Sequence, residues 1–412
     1  MTCTHMKKAV LFFLLLATAC LICVFALAQE AEDLTGSCKF KLCAKGTQVK
    51  RITDGDYRTY WESGKVKRPY VSIHSEKPIY GLYLCFQKKP ESYEIQAQDG
   101  TTLAAGDTLF HHVFYELDGV RDVKIQALGD GKTTMGFNEI FVFSEGEIPE
   151  WVQRWEKPLE KADILFLSAH PDDELLFMGG AIASSALTDK RRVQVVYLTP
   201  SNTTRRSEAL NGLWTLGIRY YPEFGPFSDR YAKTGKLQDS YDMITGGKKE
   251  VWRWLTEIFR KYRPEVAVTH DLKGEYGHPQ HKMLADSAVV CYELAAQEEQ
   301  YPESAQTYGA WQVKKLYLHL YGEEKDQTVF DWTVPREEFG GMTANELAQK
   351  AFEKHVTQAG MGKKYQGKMV YFSVEEYGVK RYPNNCFGLY SSTVGPDVLH
   401  TDFMENISKA GE

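Results

Sequence analysis

The chain has 412 residues, enough for two or three domains, and its 43% hydrophobic and 25% charged residues are the mix of an ordinary globular protein. This composition excludes a wholly disordered, collagen-like or coiled-coil protein. The 49 basic residues are outnumbered by 55 acidic ones, giving a net charge of -6, so the chain lacks the positive surplus that binding to a nucleic-acid backbone requires. We expect no nucleic-acid partner.

The N-terminal segment carries the pattern of a secretory signal. Lys7 and Lys8 precede an apolar run over residues 9–27, and Ala26-Leu27-Ala28 has the small-x-small pattern of a cleavage site. We therefore expect a signal peptide at residues 1–28 and a secreted or extracytoplasmic protein at the cell surface or in the periplasm. The alternative is an uncleaved N-terminal membrane anchor, because the run is close to the length that spans a bilayer.

Five of the eight cysteines lie beyond this segment: Cys38, Cys43, Cys85, Cys291 and Cys386. Since exported proteins meet oxidising conditions, one disulfide is expected among the first three, from Cys38 or Cys43 to Cys85 or between the close pair. None of the five has the C-x-x-C spacing of a structural zinc site.

Residues 33–145 are predicted to form an all-β sandwich. Short alternating segments are separated by Gly, Asp, Lys and Pro turns. These segments cover residues 70–74, 80–86, 92–98, 123–128 and 139–143. Residues 146–158, which contain two prolines and two tryptophans, have the composition of a linker.

Residues 159–395 alternate strands with helices. Such alternation implies right-handed βαβ crossovers and an α/β domain, with a Rossmann-like, mostly parallel sheet that carries helices on both faces. Strands are predicted at 163–167, 193–198, 266–269 and 316–320, and helices at 175–187, 207–216, 249–261, 282–296 and 344–355. In such sheets ligands collect at the carboxyl ends of the strands. Residues 396–412 are predicted to be a C-terminal tail.

The first of these strands runs directly into a cluster of ionisable residues, Ala169-His170-Pro171-Asp172-Asp173-Glu174, which opens a helix. The next strand but one leads through Thr269-His270-Asp271 into Gly274-Glu275-Tyr276-Gly277-His278-Pro279-Gln280-His281, again at the start of a helix. Crowded carboxylates repel one another and need a partner or a cation.

Two strand ends of one parallel sheet can lie side by side, so His170, one of the two aspartates and one of His278 or His281 can converge on a divalent ion. Two histidines and a carboxylate leave coordination positions open, and a zinc ion held in this way lowers the pKa of bound water to about 7. The remaining aspartate and histidine are then free to move protons and stabilise an oxyanion.

Over most of residues 160–320 these motifs resemble the PIG-L or LmbE-like zinc-dependent N-deacetylases. Between the two motifs, Arg205-Arg206-Ser207-Glu208 followed by Leu216-Gly217 is similar to that family's R-x-x-E helix, and residues 351–358 are similar to a looser C-terminal signature. The resemblance implies that zinc is held by His170, Asp173 and His281. It also implies that Asp172 is the general base, that His278 and Tyr276 act on the tetrahedral intermediate, and that Arg205 and Glu208 bind substrate.

Two departures from the family pattern concern the surroundings of the metal. Thr199-Pro200-Ser201-Asn202 stands where the family commonly has a Gly-rich turn, which puts the local substrate contacts in doubt. Gln280 replaces a common Asp, so either the interactions that tune His278 are weaker than in the family or another carboxylate, Asp271 or Glu275, supplies them. The aromatic segment 224–231 is a candidate lid or substrate wall.

The β-rich region resembles a galactose-binding-like, discoidin-type module. The resemblance rests on Asp33-Leu34-Thr35, Ile52-Thr53-Asp54-Gly55-Asp56, Thr59-Tyr60-Trp61 and Gly136-Phe137-Asn138-Glu139-Ile140. It implies glycan binding or a purely structural role for this region, and it leaves Trp61 as either a core residue or a glycan contact.

The leading functional hypothesis is an exported zinc hydrolase that removes an N-acyl, expected to be N-acetyl, group from an amino sugar or glycoconjugate. One alternative is a non-haem Fe(II) oxygenase using His170, Asp172 and His281, and another is a non-catalytic glycan-binding surface protein. Of the other histidines, His270 ends a strand near the site, and His111 and His112 face opposite sides of a strand. His74, His319 and His400 have no acidic company in the sequence and are given no role.

Overall fold

The computed structural model describes residues 29–43, 49–200, 202–365 and 368–407. The predicted signal peptide lies outside these residues, so export stays a prediction. Within the described ranges, every helix is too short or too polar to be a candidate for crossing a bilayer.

The N-terminal region is all-β, as predicted, but its main strands form one hydrogen-bonded sheet of seven strands rather than two separate sheets. Its strands are β1 (Lys39–Leu42), β2 (Trp61–Glu62), β3 (Val66–Lys67), β4 (Tyr70–Lys88), β5 (Tyr93–Gln96), β6 (Thr102–Ala105), β7 (His112–Ala127), β8 (Lys132–Thr133) and β9 (Gly136–Phe143). The order is β2-β9-β4-β7-β5-β6, β1 pairs with β4, and β3 and β8 form a separate ribbon.

The length of β4 and β7 explains the single sheet. The segments predicted at 70–74 and 80–86 belong to one strand of 19 residues, whose pairing with β7 continues past a register irregularity between His74 and Ile79. The first half of β4 pairs with β1 and the second half with β9, so both halves of the sheet share the same strands. Side chains from both halves, including Ile73 and Leu84, contribute to one apolar core. Trp61 is 4% exposed and belongs to this core, which settles its position as buried.

The second region is α/β with a mixed sheet of seven strands, in the order β12-β11-β10-β13-β14-β18-β15. The strands are β10 (Ile164–Ser168), β11 (Val193–Tyr197), β12 (Glu223–Phe224), β13 (Val266–Thr269), β14 (Lys315–His319), β15 (Gln327–Val329) and β18 (Cys386–Ser392); β16 (Gly362–Tyr365) and β17 (Lys368–Tyr371) form a separate ribbon. The pairs from β12 to β14 are parallel, whereas β18 runs antiparallel to both β14 and β15.

The helices are α1 (Asp173–Phe177), α2 (Gly179–Ala183), α3 (Thr203–Thr215), α4 (Leu237–Asp242), α5 (Gly247–Tyr262), α6 (Pro279–Leu294), α7 (Pro302–Tyr308) and α8 (Ala344–Phe352). The helix predicted over residues 175–187 is instead divided at Met178, whose backbone is not helical. The short helices α4 and α7 were not predicted, because so few residues carry no clear period.

Helices cover both faces of this sheet. Successive side chains of a strand point to opposite faces, and in β10 Ile164 and Phe166 pack with α1, α2, α3 and α8. Leu165 and Leu167 pack on the other face with α5 and α6. The parallel strands β10 and β13 therefore end at the same edge, between the two layers of helices.

The two regions contact each other through a buried polar cluster around His112. His112 Nδ1 lies 2.9 Å from Gln153 Oε1, and its Nε2 lies 3.1 Å from Ser207 Oγ on α3. Gln153 Nε2 also donates to Asn211 Oδ1 at 2.6 Å. Burial lowers the pKa of His112 to about 3, so the ring is neutral in the folded protein.

The segment predicted to be a C-terminal tail packs on the sheet as far as it is described. Phe403 is fully buried against Phe166 and Tyr317. Asp397 forms an ion pair with Lys315 and accepts a hydrogen bond from Tyr317, and neither side chain of the ion pair is exposed. This segment therefore helps to enclose the α/β core.

The predicted disulfide is absent among the described residues, because Cys38, Cys43 and Cys85 are all free thiols. Cys85 lies in a small apolar cluster with Tyr83 and Val152, whereas Cys38 and Cys43 pack against the main core. Cys85 thus lies in a different cluster from the other two cysteines.

We predict that His112 makes folding sensitive to acid. Its pKa lies below the value of 6.5 expected in the unfolded chain, so the unfolded state binds a proton first and stability is lost as the pH falls from about 6.5 towards 3. Between pH 6.5 and 5 the loss is roughly 2 kcal/mol. Urea unfolding at both pH values should show this loss in the native chain and a smaller one in His112→Gln. The partly exposed His74→Gln serves as control, and an equal loss in native and His112→Gln proteins would contradict the assignment.

We predict that Asp397→Ala destabilises the α/β region by about 3–5 kcal/mol, because it leaves the Lys315 ammonium buried without its partner. The control is Glu323→Ala, which removes an ion pair whose side chains are 73% and 75% exposed and should cost less than about 1 kcal/mol. Urea unfolding followed by circular dichroism measures both, and similar costs for the two variants would show that the buried pair is not important.

Candidate active site and metal centre

The site begins at the turn between β10 and α1. His170 and Asp172 lie in this turn and Asp173 opens α1, whose first helical bonds run from Leu175 and Leu176 to the Asp172 carbonyl. Asp172 has φ +115°, which is rare for a residue with a side chain and costs of order 1–3 kcal/mol. Such strain is kept where the surroundings hold it, most often at functional sites.

The second loop lies between β13 and α6. Glu275–Gly277 forms a 3-10 turn in which Tyr276 has φ +46°. His278 then caps α6, its Nδ1 accepting a hydrogen bond from the Gln280 backbone at 3.3 Å. His281 lies in the first turn of the helix. The cap therefore places the His278 and His281 rings close together, with their centroids 4.5 Å apart.

The two loops meet at one carboxylate oxygen. Asp173 Oδ2 lies 2.7 Å from His170 Nδ1 and 3.0 Å from His281 Nε2, and all three side chains are buried. The nitrogen donors of His170, His278 and His281 lie within 4.8 Å of one another, as do the donors of Asp173, His270 and His281. The structure thus brings together the three residues predicted as metal ligands and places His278 beside them.

The donor set fits a divalent metal ion. His281 Nε2 is buried, and although it faces Asp173 Oδ2 it has no hydrogen-bond partner among the described residues. A buried polar atom without a partner is costly, and a cation between His281, Asp173 and His170 would satisfy it. Two imidazoles and a carboxylate are the donor types of catalytic zinc sites.

Glu275 organises three histidines around this centre. Its Oε2 lies 2.7 Å from His281 Nδ1 and 2.8 Å from His270 Nδ1, and its Oε1 lies 2.6 Å from His319 Nδ1. From the sequence, Glu275 was a candidate partner of His278. In the structure Glu275 instead orients His281. The interpretation of His319 as having no acidic company was wrong. His319 is the last residue of β14, and His270 comes directly after β13. This shared position at the ends of neighbouring strands was the signal that could have indicated that both histidines contact Glu275.

Asp173 and His281 are buried together, and their charges shift each other's pKa in opposite directions. Burial disfavours ionisation of Asp173, but His281 and His170 outweigh it and keep its pKa well below the usual range. Burial likewise opposes the charging of His281, but Asp173 and Glu275 raise its pKa to about 10. The carboxylate is therefore ionised and available as a ligand.

Asp172 points away from this pair towards Arg205. Its Oδ1 lies 2.8 Å from Arg205 Nη2, and Arg205 also donates to the Pro171 carbonyl. Burial raises the pKa of Asp172 to about 7, and the guanidinium opposes the rise. The two adjacent aspartates are thus divided, one with the histidines and one with an arginine.

Glu208 was expected to bind substrate, but it is buried and faces another part of the chain. Its two carboxylate oxygens accept hydrogen bonds from the backbone and the hydroxyl of Thr357, at 2.8 and 2.7 Å. Because both oxygens are engaged in this way, Glu208 holds the segment after α8 against α3. Arg205, three residues earlier, does face the site.

Sequence reasoning missed Asp229, although the segment 224–231 had been identified as a candidate wall. Asp229 Oδ1 lies 3.5 Å from His170 Nε2, and its Oδ2 lies 3.6 Å from Arg205 Nη1. Gln280 holds this segment, since its Nε2 donates to the Ser228 carbonyl at 3.1 Å and its Oε1 accepts from the Arg230 backbone at 3.1 Å.

A small cavity of about 110 Å³ opens over the centre. Its wall combines the charged groups described above with Tyr276, His278, Gln358 and Phe372. Tyr276 is partly buried, with its ring centroid 5.6 Å from that of His278. All three predicted catalytic residues, Asp172, Tyr276 and His278, therefore line the same cavity as His170 and Asp173.

Comparison with known proteins places this domain in a family. The PIG-L family, described as GlcNAc-PI de-N-acetylase, matches residues 165–292. A 1D-myo-inositol 2-acetamido-2-deoxy-alpha-D-glucopyranoside deacetylase from Frankia casuarinae is 29% identical over 37% of this chain and 57% of its own length, and one from Rhodococcus jostii is 30% identical over 37% and 60%. The chain therefore spans less than two thirds of these relatives.

Among solved structures, N,N'-diacetylchitobiose deacetylase from Pyrococcus horikoshii is 22% identical, with a TM-score of 0.36, over 49% of this chain and 72% of its own. A family 32 carbohydrate-binding module from C. perfringens NanJ, in complex with galactose, is 15% identical, with a TM-score of 0.24, over 28% of this chain and 99% of its own. The family match and the deacetylase relatives agree with the motifs at the two strand ends. Residues 165–292 are a PIG-L family domain.

Proposed function

We propose that the chain is an exported, zinc-dependent hydrolase that removes the N-acetyl group of an amino sugar or glycoconjugate. The observation that carries the proposal is the convergence of His170, Asp173 and His281 on one point, with Asp172 and His278 beside them in one cavity of a PIG-L domain. The relatives from Frankia casuarinae and Rhodococcus jostii are named as 1D-myo-inositol 2-acetamido-2-deoxy-alpha-D-glucopyranoside deacetylases.

His170, Asp173 and His281 would hold the zinc ion. When bound, zinc supplies a Lewis acid that polarises the acyl oxygen and lowers the pKa of a coordinated water. In the proposed reaction, Asp172 accepts the proton of the water that attacks the acyl carbon and returns it to the departing nitrogen as the carbon–nitrogen bond breaks, which releases acetate and the amine. Arg205, 2.8 Å from Asp172, orients this carboxylate and favours its ionised form against the effect of burial.

His278 is suited to donate a hydrogen bond to the acyl oxygen. Burial, together with the charges of His281 and His170, lowers the pKa of His278 to about 2, so the ring is neutral. Because its Nδ1 accepts a hydrogen bond from the Gln280 backbone, its single proton resides on Nε2. The Nε2–H can stabilise the developing oxyanion, and Tyr276 in the same cavity can act on the same oxygen.

Asp229 is proposed to bind the substrate next to Arg205. Both side chains lie at the cavity, and a carboxylate beside a guanidinium offers acceptors and donors for the hydroxyl groups of a sugar. The proposal assigns Gln280 a positioning role, because its amide hydrogen-bonds both Ser228 and Arg230 on either side of Asp229.

We predict that Asp172→Asn and His281→Ala lose activity for different reasons. Asp172→Asn should bind one zinc ion per chain but lose most turnover, on the order of 10²-fold or more, because it removes the base and no ligand. His281→Ala should lose the metal itself. Elemental analysis and acetate release from a panel of N-acetylated sugars measure the two effects. Asp271→Asn, at the same strand end but outside the cluster, is the control.

The metal analysis also separates the alternative functions. Loss of zinc in Asp172→Asn would show that the two aspartates have exchanged roles, and stoichiometric zinc in His281→Ala would contradict the ligand set. Iron in place of zinc, with oxygen uptake, would favour the oxygenase alternative. A native chain that binds no metal would favour a non-catalytic protein.

We predict that Gln280→Ala and Asp229→Asn raise KM by about tenfold with a smaller change in kcat, because they loosen or remove a substrate contact and leave the base in place. Zinc content should remain one per chain in Asp229→Asn. The exposed Gln238→Ala is the matched amide control. An unchanged KM in both variants, with activity retained, would show that this loop does not bind substrate.

A further inference from the structure

A second cavity, of about 460 Å³, lies between the β-rich region and the α/β region. One wall comes from Tyr57, Phe141 and Trp151, and the other from Asn211 and Thr215 of α3 and from Val356 after α8. We call this the interdomain cleft. It is separate from the metal centre, since the two cavities have no lining residue in common.

The aromatic wall is held in a fixed position. Trp151 packs against Phe141 with ring centroids 4.9 Å apart and against Phe143 at 5.9 Å, yet it remains 45% exposed. Tryptophan is highly buried on average, whereas this indole is packed against two rings and is still nearly half exposed to solvent. It presents an apolar platform in the cleft.

Several of the other side chains that line the cleft are polar. Asn211 is oriented by Gln153, whose Nε2 donates to Asn211 Oδ1 at 2.6 Å, and Glu353 and Lys354 add charged groups at the same cavity. A flat apolar ring surrounded by amide, hydroxyl and carboxylate groups matches a sugar, which has an apolar face of C–H groups and an edge of hydroxyls. The chemistry therefore favours a carbohydrate over a purely apolar ligand.

The cleft is adjacent to the metal centre along the segment that follows α8. Val356 lines the cleft, Gln358 lines the cavity over the metal centre, and Thr357 between them is fixed to Glu208 of α3. Two residues of chain span at most about 7 Å. Val356 is 50% exposed, so this separating segment lies at the surface, where an extended ligand can pass over it.

We propose that the interdomain cleft is a distal subsite for a glycan chain whose N-acetylated residue lies at the metal centre. The inference rests on the proposed function and narrows its substrate class to oligosaccharides or polysaccharides. It also gives the β-rich region a role in substrate binding, since Trp151 and Tyr57 on that side of the cleft would contact sugars that α3 contacts from the other side.

The test compares the binding of N-acetylglucosamine and of its β-1,4-linked tetramer to the Asp172→Asn protein, in which turnover is blocked. The tetramer is expected to bind at least about tenfold more tightly than the monomer, as one stacked sugar would provide. Adding Trp151→Ala should remove this advantage. Adding Val356→Arg, an exposed change that fills the cleft without touching the core, should do the same. Adding Tyr390→Ala, an exposed aromatic outside the cleft, should preserve it.

The outcomes separate the subsite from the proposed function. The subsite is overturned if the tetramer has no advantage, or if the advantage survives both Trp151→Ala and Val356→Arg. Acetate release by the native chain is measured in parallel. One outcome is that the native chain releases no acetate from either sugar, while Trp151→Ala abolishes the tighter binding of the tetramer. This outcome would retain the subsite and overturn the deacetylase proposal. If the native chain releases acetate but the tighter binding of the tetramer persists in both Trp151→Ala and Val356→Arg, the deacetylase proposal is retained and the subsite is overturned.

Discussion

The structure depends on one carboxylate oxygen that two distant parts of the chain share. Asp173 Oδ2 lies within 3.0 Å of both His170 and His281, although the two histidines are more than a hundred residues apart in sequence. This contact is available because β10 and β13 are parallel neighbours that end at the same sheet edge and each lead into a helix. The sheet supplies the proximity, and the start of α1 and the His278-capped start of α6 supply the direction of the side chains.

The ionisable side chains around this oxygen are buried, so each of them needs a neighbour of opposite charge or a hydrogen-bond partner. Glu275 accepts hydrogen bonds from His270, His281 and His319, while Arg205 faces Asp172 and so separates the two adjacent aspartates electrostatically. A buried charge without a partner would be costly, and the arrangement places opposite charges next to nearly all of them. His281 Nε2 faces Asp173 Oδ2 at 3.0 Å, and a cation held there would contact both groups.

Local patterns in the sequence were sufficient for the centre of the site. His170, Asp173 and His281 each lie next to a strand or in the first turn of a helix, and both motifs can be located by the apolar strands that precede them. The proposed roles of Asp172 as base and Asp173 as ligand came from a family resemblance; in the structure Asp172 faces Arg205 and Asp173 faces the two histidines. The parallel strands and their flanking helices were likewise predictable, because hydrophobic periodicity marks them directly.

Contacts between distant elements could not be predicted. Glu208 looked like a substrate ligand in its motif, but its partner Thr357 lies 149 residues away. His319 meets Glu275 only because β14 lies beside β13 in the sheet. Asp229 belongs to a loop whose sequence has no hydrophobic periodicity. Its position depends on a hydrogen bond from the Gln280 side chain of α6 to the neighbouring Ser228 carbonyl. The long strands of the N-terminal region appeared as separate segments because their pairing continues through an irregular, partly exposed stretch.

One metal ion is proposed to lie between the ends of β10 and β13. Anomalous X-ray diffraction from crystals of the zinc-loaded protein, measured on both sides of the zinc absorption edge, would locate it. We expect a single strong zinc peak coordinated by His170, Asp173 and His281, with at least one position left to solvent. A zinc peak bound by other residues, or no peak at this sheet edge in fully loaded protein, would contradict it.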